Sequence, residues 1–361
     1  MELGIIGLSQ SGKTTVFNAL IRSSTGHAVN KVNFGIAKVP DARLDKLTEM
    51  FHPKREVLAE VGFTDVPGAP EGLGKSQGIS GEYLNALQRA DALLHVVRAF
   101  DDPAVPHLEG SIDPYRDAVN MDLELAVSDI AIIERRLKRL DTELKGARTQ
   151  DRDRIRKEAD LLERLRDGLS SDIPVRDHFL SAEERKLIST YQFLTEKPLF
   201  LLINLGEDRI PETPDLEREF QEHLVKSGTV VAAMCARLEE ELADMDPQDE
   251  EEMRQSLEAG ESAATRVIQL AYQLVGLVSF FTVGSDECRA WTIRKDTQAV
   301  DAAGQIHSDI ARGFIRAEVV TYDELVRCGS LVEARKQAVL RHEGKTYLVK
   351  DGDIVHILNN V

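Results

Sequence analysis

Cysteine is scarce in this chain. The three present, Cys235, Cys288 and Cys328, stand too far apart in sequence for a disulfide framework or a CxxC metal pair, and are expected to be ordinary thiols. Long apolar runs are missing too: a stretch such as 199–203 is far shorter than the roughly 20 residues a membrane-spanning helix needs. Positive charge is in deficit, with 45 Lys and Arg against 62 Asp and Glu and a formal net charge of −17. That balance excludes a general electrostatic grip on nucleic acid, so DNA is not an expected partner, while a local basic face stays compatible with it. The opening MELGIIGLSQSGK lacks the basic start, apolar core and small-residue cleavage site of a secretory signal. A cytoplasmic protein without a membrane partner is expected.

What is present is a soluble, globular composition, 42% hydrophobic and 30% charged, in 361 residues. That length suits two or three domains of about 100–200 residues each. Through the first hundred residues short apolar runs alternate with helical patterns: ELGIIG then VFNALI, FGIAKV then ARLDKL, AEVGFTD then GEYLNALQ, and ALLHVV. Strands interleaved with amphipathic helices predict βαβ units and a mostly parallel sheet.

Near residue 120 the rhythm changes. Ile130, Ile133, Leu137, Leu140 and Leu144 recur at spacings of three and four, and Leu162, Leu165 and Leu169 resume after the polar break GARTQDRDR. This predicts an inserted helical hairpin with charged outer faces, a coiled-coil arm for structure or partner docking. The strand signal returns at PLFLLIN and GTVVAAMCA, so the sheet domain resumes. The acidic stretch between 237 and 261 reads as a solvated helix and loop surface. From Val278 onward, SFFTV, RAWTI, FIRAEVV and KTYLVKDGDIVHIL, with an Asp351-Gly352 turn, predict a small β-rich α+β module. It holds 11 Lys and Arg against 12 Asp and Glu and is the cheaper place to meet RNA. The expected domains are 1–120 with 192–277, the hairpin 121–191, and 278–361.

Between the first strand and helix lies Gly7-Leu-Ser-Gln-Ser-Gly12-Lys13-Thr14, which fits GxxxxGK[ST]. Backbone N–H groups of such a loop cradle phosphates at a helix N-terminus, the Lys13 charge neutralises them, and the Thr14 hydroxyl suits Mg²⁺. Asp65-Val-Pro-Gly68 follows a later strand with DxxG spacing, bringing a carboxylate to the metal shell and a glycine N–H toward the γ-phosphate. The next residue is Ala69, where Ras-like hydrolases carry the Gln that orients water, so binding of nucleotide is better supported than cleavage. The strand PLFLLIN ends in Asn204-Leu205-Gly206-Glu207, where a guanine-reading loop carries Asn-Lys-x-Asp. Glu207 keeps the acid but moves it by one methylene, and Leu205 replaces the Lys stem, so a guanine fork fits less well. A plain strand end is the other reading.

GLSQSGKTTVFNAL, VPDARLDKL, FTDVPG, EGLGKSQG, DALLHVVRAFDD, DLELAVSDI, INLGED and nearly all of the C-terminal module together resemble the YchF subfamily of Obg-like P-loop proteins. The resemblance covers almost the whole chain. It implies an α/β P-loop NTPase (Ras-like) sheet domain with an inserted α-helical coiled-coil arm and a C-terminal α+β TGS (β-grasp-like) domain. It implies ATP, at least as readily as GTP, with Mg²⁺ on Thr14 and Asp65, and the ribosome or its large-subunit rRNA or proteins as partner. The implied nucleotide-binding set is Gln10, Ser11, Gly12, Lys13, Thr14, Thr15, Gly68, Asn204, Leu205, Glu207, Cys235 and Ala236. His107 matches the family's loop histidine, so His107 and Lys13 are the implied catalytic residues, a role histidine can fill near neutral pH. Two positions depart from the pattern. Gln10 replaces an Asn linked to monovalent-cation help, and Val29 stands where members carry a switch Thr.

Three functions follow from these readings. The first is a nucleotide-dependent switch that hydrolyses ATP slowly and acts in translation. The second is a scaffold that merely holds nucleotide while the arm and C-terminal module bind RNA or protein. A small-molecule kinase is the third, and it lacks an identifiable acceptor site with a base in reach.

Overall fold

The runs ALLHVVRA and LFLLINL are buried at every position, as central strands of a parallel sheet covered on both faces must be. The computed structural model describes residues 1–22, 32–66, 79, 81–105, 107, 110–224, 228–257 and 259–360. The chain forms two units, 1–35 with 62–267 and 36–61 with 268–361.

One six-stranded sheet has the strands β1 (Glu2–Ile6), β2 (Asn33–Val39), β4 (Ala59–Asp65), β5 (Ala92–Ala99), β6 (Leu199–Leu205) and β7 (Thr229–Met234), in spatial order β2-β4-β1-β5-β6-β7. From β4 to β7 every neighbouring pair is parallel. The register sets Ile5 beside Asp65, Ile6 beside His95, Arg98 beside Asn204 and Asn204 beside Met234. The loops after five strands therefore open on one edge. At the order reversal around β1 a parallel sheet leaves a crevice beyond its carboxyl ends, and nucleotides bind there.

The first unit's helices are α1 (Lys13–Ile21), α3 (Gly81–Arg89), α4 (Pro114–Gly146), α5 (Thr149–Leu169), α6 (Ala182–Ile188), α7 (Thr213–Leu224), α8 (Ala236–Ala243), α9 (Pro247–Ser256) and the start, 263–267, of α10 (Ala263–Leu274). Helices α4 and α5 are the predicted hairpin, with two corrections. Helix α4 starts at Pro114 rather than near 121, because Asp113 caps the Arg116 N–H and proline fits the first helical position. The polar break shrinks to Ala147 and Arg148: the charged residues that follow are adequate helix formers when exposed, so α5 begins at Thr149. Ile133, Leu140, Ile155, Leu161, Leu162 and Leu165 bury the seam. Near its root the buried Asp129 carboxylate accepts from Leu194 N at 2.9 Å, Thr195 N at 2.8 Å and Thr195 Oγ1 at 2.7 Å, and burial pushes its pKa up to about 6.

The acidic stretch also departs from its expected solvated character. Glu239 and Arg254 are both buried and joined by bonds of 2.9 and 2.8 Å that tie α8 to α9, with Ser262 Oγ and Ala263 N completing the carboxylate's partners. A buried charge needs such saturation, and removing one partner typically costs about 3–5 kcal/mol.

The second unit's sheet combines β3 (Arg55–Val57), β8 (Leu277–Thr282), β9 (Glu287–Arg294), β10 (Phe314–Thr321), β11 (Arg341–Glu343) and β12 (Asp353–Asn359) in the order β11-β10-β12-β8-β9-β3. Its helices are α2 (Ala42–Phe51), α11 (Ala299–Ile306), α12 (Ser308–Arg312), α13 (Tyr322–Cys328) and α14 (Leu331–Lys336). Phe280, Ile293, Ala303, Ala317 and Val319 form its core. Residues 36–61, read from the sequence as part of the first domain, group here because β3 pairs with β9 in parallel, Arg55 beside Glu287.

Candidate nucleotide cleft

Gly7 and Gly12 bound a loop that only glycine permits at those points. Gly7 has φ 151° and a Cβ there would collide with the Val96 carbonyl; Gly12 has φ 89° and a Cβ would collide with the Asn204 amide nitrogen. Between them Gln10 takes φ 63°, a left-handed conformation that costs a non-glycine residue about 1 kcal/mol. Gly12 then caps α1 without a side-chain hydrogen bond, so the first turn's N–H groups stay available to an anion.

Lys13 Nζ donates to Gly7 O at 3.0 Å and Leu8 O at 2.8 Å, holding the ammonium over the loop. Burial lowers its pKa to about 8, against the opposing pull of the Asp65 carboxylate. At neutral pH the charge is kept, and an arriving phosphate finds it incompletely solvated. Next along the helix, Thr14 Oγ1 donates to Asp65 Oδ2 at 3.0 Å. The two expected metal residues thus meet across the gap between α1 and the end of β4. A hydroxyl and one carboxylate are hard oxygen donors, and Mg²⁺ is commonly held by one or two protein oxygens plus phosphates and water. Among the described residues there is no cluster of three or more His, Cys, Asp or Glu side chains that could hold a metal ion.

Behind this loop His95 lies fully buried on β5, and burial, reinforced by the Lys13 charge, lowers its pKa to about 3. It is a neutral ring. Tyr83 of α3 is buried, and its desolvation, helped by the nearby Asp65 charge, raises its pKa.

A cleft of about 710 Å³ runs from the loop toward β6 and β7, lined by Gln10, Gly12 and Thr15 at one end and by Asn204, Leu205, Glu207 and Cys235 further along. Its volume suits a nucleotide-sized ligand. Asn204 is buried and bonded at both ends, its Nδ2 donating to Ser11 O at 3.0 Å and its Oδ1 accepting from Ala236 N at 3.1 Å. It braces the phosphate loop against the start of α8. Leu205 packs into the core cluster with Leu201 and Ile203, whereas Glu207 is exposed on the rim. Ser11 is buried, and burial raises the Cys235 thiol pKa.

His107 is tied to the start of the arm. Its Nε2 meets Asp117 Oδ2 at 2.8 Å in the first turn of α4, with side chains 8% and 4% exposed, and Arg116 donates to the other Asp117 oxygen at 3.1 and 2.9 Å. Gly68, Ala69 and Val29 lie outside the described residues.

Sequence reasoning missed the cleft's third wall, Phe100, Asp101, Asp102, Pro103 and Val105. Buried Arg98 fixes that wall, donating to Phe100 O at 3.2 Å and Val105 O at 2.7 Å while its guanidinium sits 4.5 Å over the Phe100 ring. The only sequence signal was RAFDD at a strand end. Rim acids Asp101, Asp102, Glu207, Asp208, Glu240 and Glu241 outnumber Arg237, so the far end repels phosphate and accepts from amino groups.

A phosphate loop at the order reversal of a parallel sheet, with a hydroxyl–carboxylate pair beside it, makes this a P-loop nucleotide-binding protein of the Ras-like kind. Comparisons narrow that class. A family described as "50S ribosome-binding GTPase" matches residues 2–136, and YchF-GTPase_C, described as a protein of unknown function, matches 277–360. The ribosome-binding ATPase YchF of Bacillus subtilis is 36% identical, with all of both chains covered. Obg-like ATPase 1 of rice is 33% identical over the whole of this chain and 92% of its own. The structure of the Schizosaccharomyces pombe YchF GTPase superposes with a TM-score of 0.86 at 30% identity, covering 99% of this chain and 97% of that one. This chain belongs to the YchF family.

Proposed function

We propose that this protein is a slow, Mg²⁺-dependent P-loop nucleotide hydrolase that takes ATP at least as readily as GTP and acts on the ribosome. The observation that carries the reading is the meeting of Thr14 and Asp65 at 3.0 Å beside the buried Lys13 ammonium. The names of its relatives, ATPase in one group and GTPase in another, and their ribosome binding, support the rest.

In this reading the triphosphate lies along the N–H groups of α1 and against Lys13, and the base lies among the rim acids. A divalent cation held by Thr14 and Asp65 would neutralise β- and γ-phosphate charge when bound. Glu207, longer than the usual Asp, and Leu205, which offers no Lys stem, leave guanine without its fork, so adenine is not penalised. His107 positions the attacking water, and Asp117 holds the ring.

The holding-scaffold reading keeps one specific observation on its side: His107 Nε2 is already engaged by the buried Asp117 carboxylate at 2.8 Å. Steady-state ATP turnover separates the two. The expected result is measurable turnover that Lys13→Ala abolishes and His107→Ala lowers about 10²-fold or more, the usual span for a positioned acid or base. Wild-type turnover no higher than that of Lys13→Ala would sink the hydrolase. Sedimentation with ribosomes, with and without nucleotide, tests the partner.

A further inference from the structure

The sheet of the C-terminal unit is joined at one seam by a single residue pair. Strand β12 pairs with β10 from Asp353 to Asn359, but it meets β8 only where Ile354 lies beside Phe281. The two strands run parallel and β8 ends at Thr282, one residue past that pair, so His356, Ile357 and Leu358 outrun it with no strand on that side among the described residues. A groove of about 540 Å³ opens there, with Thr282 and Val283 on one side and Val355, His356 and Ile357 on the other.

The groove has walls from both faces of the sheet. Val355 and Ile357 join the core with Phe280, Val319 and Ala303, and on that face Trp291, Ile306 and Ile310 line it. Side chains alternate along a strand, so Glu318, Val320, Ile354 and His356 belong to the opposite face, where Leu331, Val332 and Arg335 of α14 line it. A cavity lined from both faces passes through the plane of the sheet. Its charges are already spent: Glu318 accepts from Arg335 at 3.1 and 3.0 Å and meets His356 Nδ1 at 3.3 Å, while Glu287 meets Arg55 at 3.2 Å. What remains is apolar wall and a strand edge without a partner strand.

We propose that this groove takes an extended, uncharged segment of a partner protein, which adds to β12 as the strand that β8 fails to continue. The site goes beyond the nucleotide reading, since every residue in it belongs to the C-terminal unit. A strand edge presents N–H and C=O groups in alternation, partial charges that another polypeptide backbone matches along its length. Apolar walls on both faces then receive successive side chains of the added strand, so backbone pairing supplies affinity and the walls supply selectivity. The occupant carries no net charge because the acids and bases of the rim already neutralise one another. A small apolar molecule would fill the walls but leave the edge without bonds, and a second copy of the chain would have to offer a free strand of its own.

The test uses the full chain and three capped nine-residue peptides in which valine, leucine or phenylalanine alternates with serine, each with one lysine and one glutamate at its ends. Binding is read by the fluorescence of Trp291, the chain's single tryptophan, and by amide hydrogen exchange resolved at His356, Ile357 and Leu358. Alternate residues of β12 point their amides away from β10, and with at least one peptide those amides should slow by about tenfold or more as the fluorescence saturates. Val283→Asp/Val332→Asp, which sets two carboxylates against the apolar side chains of the guest, should weaken binding by about tenfold or more. Val332 is 63% exposed, so Val332→Asp alone keeps the fold, checked by its thermal midpoint, and should weaken binding by about threefold or more. Leu348→Asp, at an exposed position outside the groove, should match wild type. No slowed amide with any of the three peptides would overturn the proposal, and a fluorescence shift without slowed amides would assign the groove to a small apolar molecule instead. Amides that slow with protein concentration in the absence of peptide would assign it to a second copy, and unchanged affinity in both groove variants would likewise overturn it. Nucleotide turnover enters none of these readouts, so their failure leaves the hydrolase reading standing.

Discussion

The two ends of the nucleotide cleft are built on opposite principles. At the phosphate end, glycines fix the loop, Lys13 is buried and bonded, and Thr14 and Asp65 already touch. At the proposed base end the acids lie on the rim, and the buried Asn204 side chain spends its amide on backbone partners. A phosphate is the same in every nucleotide, so its site can be rigid and closed. In the proposed reading, base identity rests on a few exposed groups, such as Glu207, that can change without disturbing the fold.

The largest expected effect lies at the phosphate end. Lys13→Ala should weaken ATP and GTP alike by a hundredfold or more in titration calorimetry, the scale of losing a desolvated charge–phosphate contact. Unequal losses would mean that Lys13 senses the base. Asn204→Ala probes the point where the two ends meet. It orphans Ser11 O and Ala236 N, each costing about 1–3 kcal/mol if left buried and unpaired. A fall in thermal midpoint and equal weakening of both nucleotides are expected. Selective loss of one nucleotide would make Asn204 a base reader instead of a brace.

A smaller effect comes with pH. Because burial holds the Lys13 pKa at about 8, the free protein loses that charge as pH rises through 8, and affinity should then fall by up to tenfold per unit, with proton uptake on binding at pH 8.5. The same depression means that the nucleotide-free protein regains stability between pH 8 and 10.5, where the unfolded chain still binds the proton. An affinity flat from pH 7 to 9 would contradict the buried ammonium.

The contrast between the ends also explains what was legible in the sequence. The phosphate loop is eight consecutive residues whose spacing carries its own geometry, and Asp65 ends a strand that its own pattern identifies. Long-range partners leave no such trace. The bracing contacts of Asn204 left none, because Ser11 and Ala236, which bind it, lie 193 and 32 residues away. The three-residue strand β3 gave no sign of its partner β9, which is why residues 36–61 were placed in the first domain. Glu239 and Arg254 hid as one buried pair inside an acidic stretch that otherwise reads as surface. The arm's seam was plain from its periodicity, whereas the groove beside β12 emerges only once that strand is seen to meet β8 at the single pair of Ile354 and Phe281.

The central claim is that the rim at Leu205 and Glu207 no longer favours guanine. Titration of the wild-type chain with Mg-ATP and Mg-GTP under identical conditions measures it directly. The account predicts ATP binding at least as tight as GTP; a GTP preference of tenfold or more, about 1.4 kcal/mol, would contradict it.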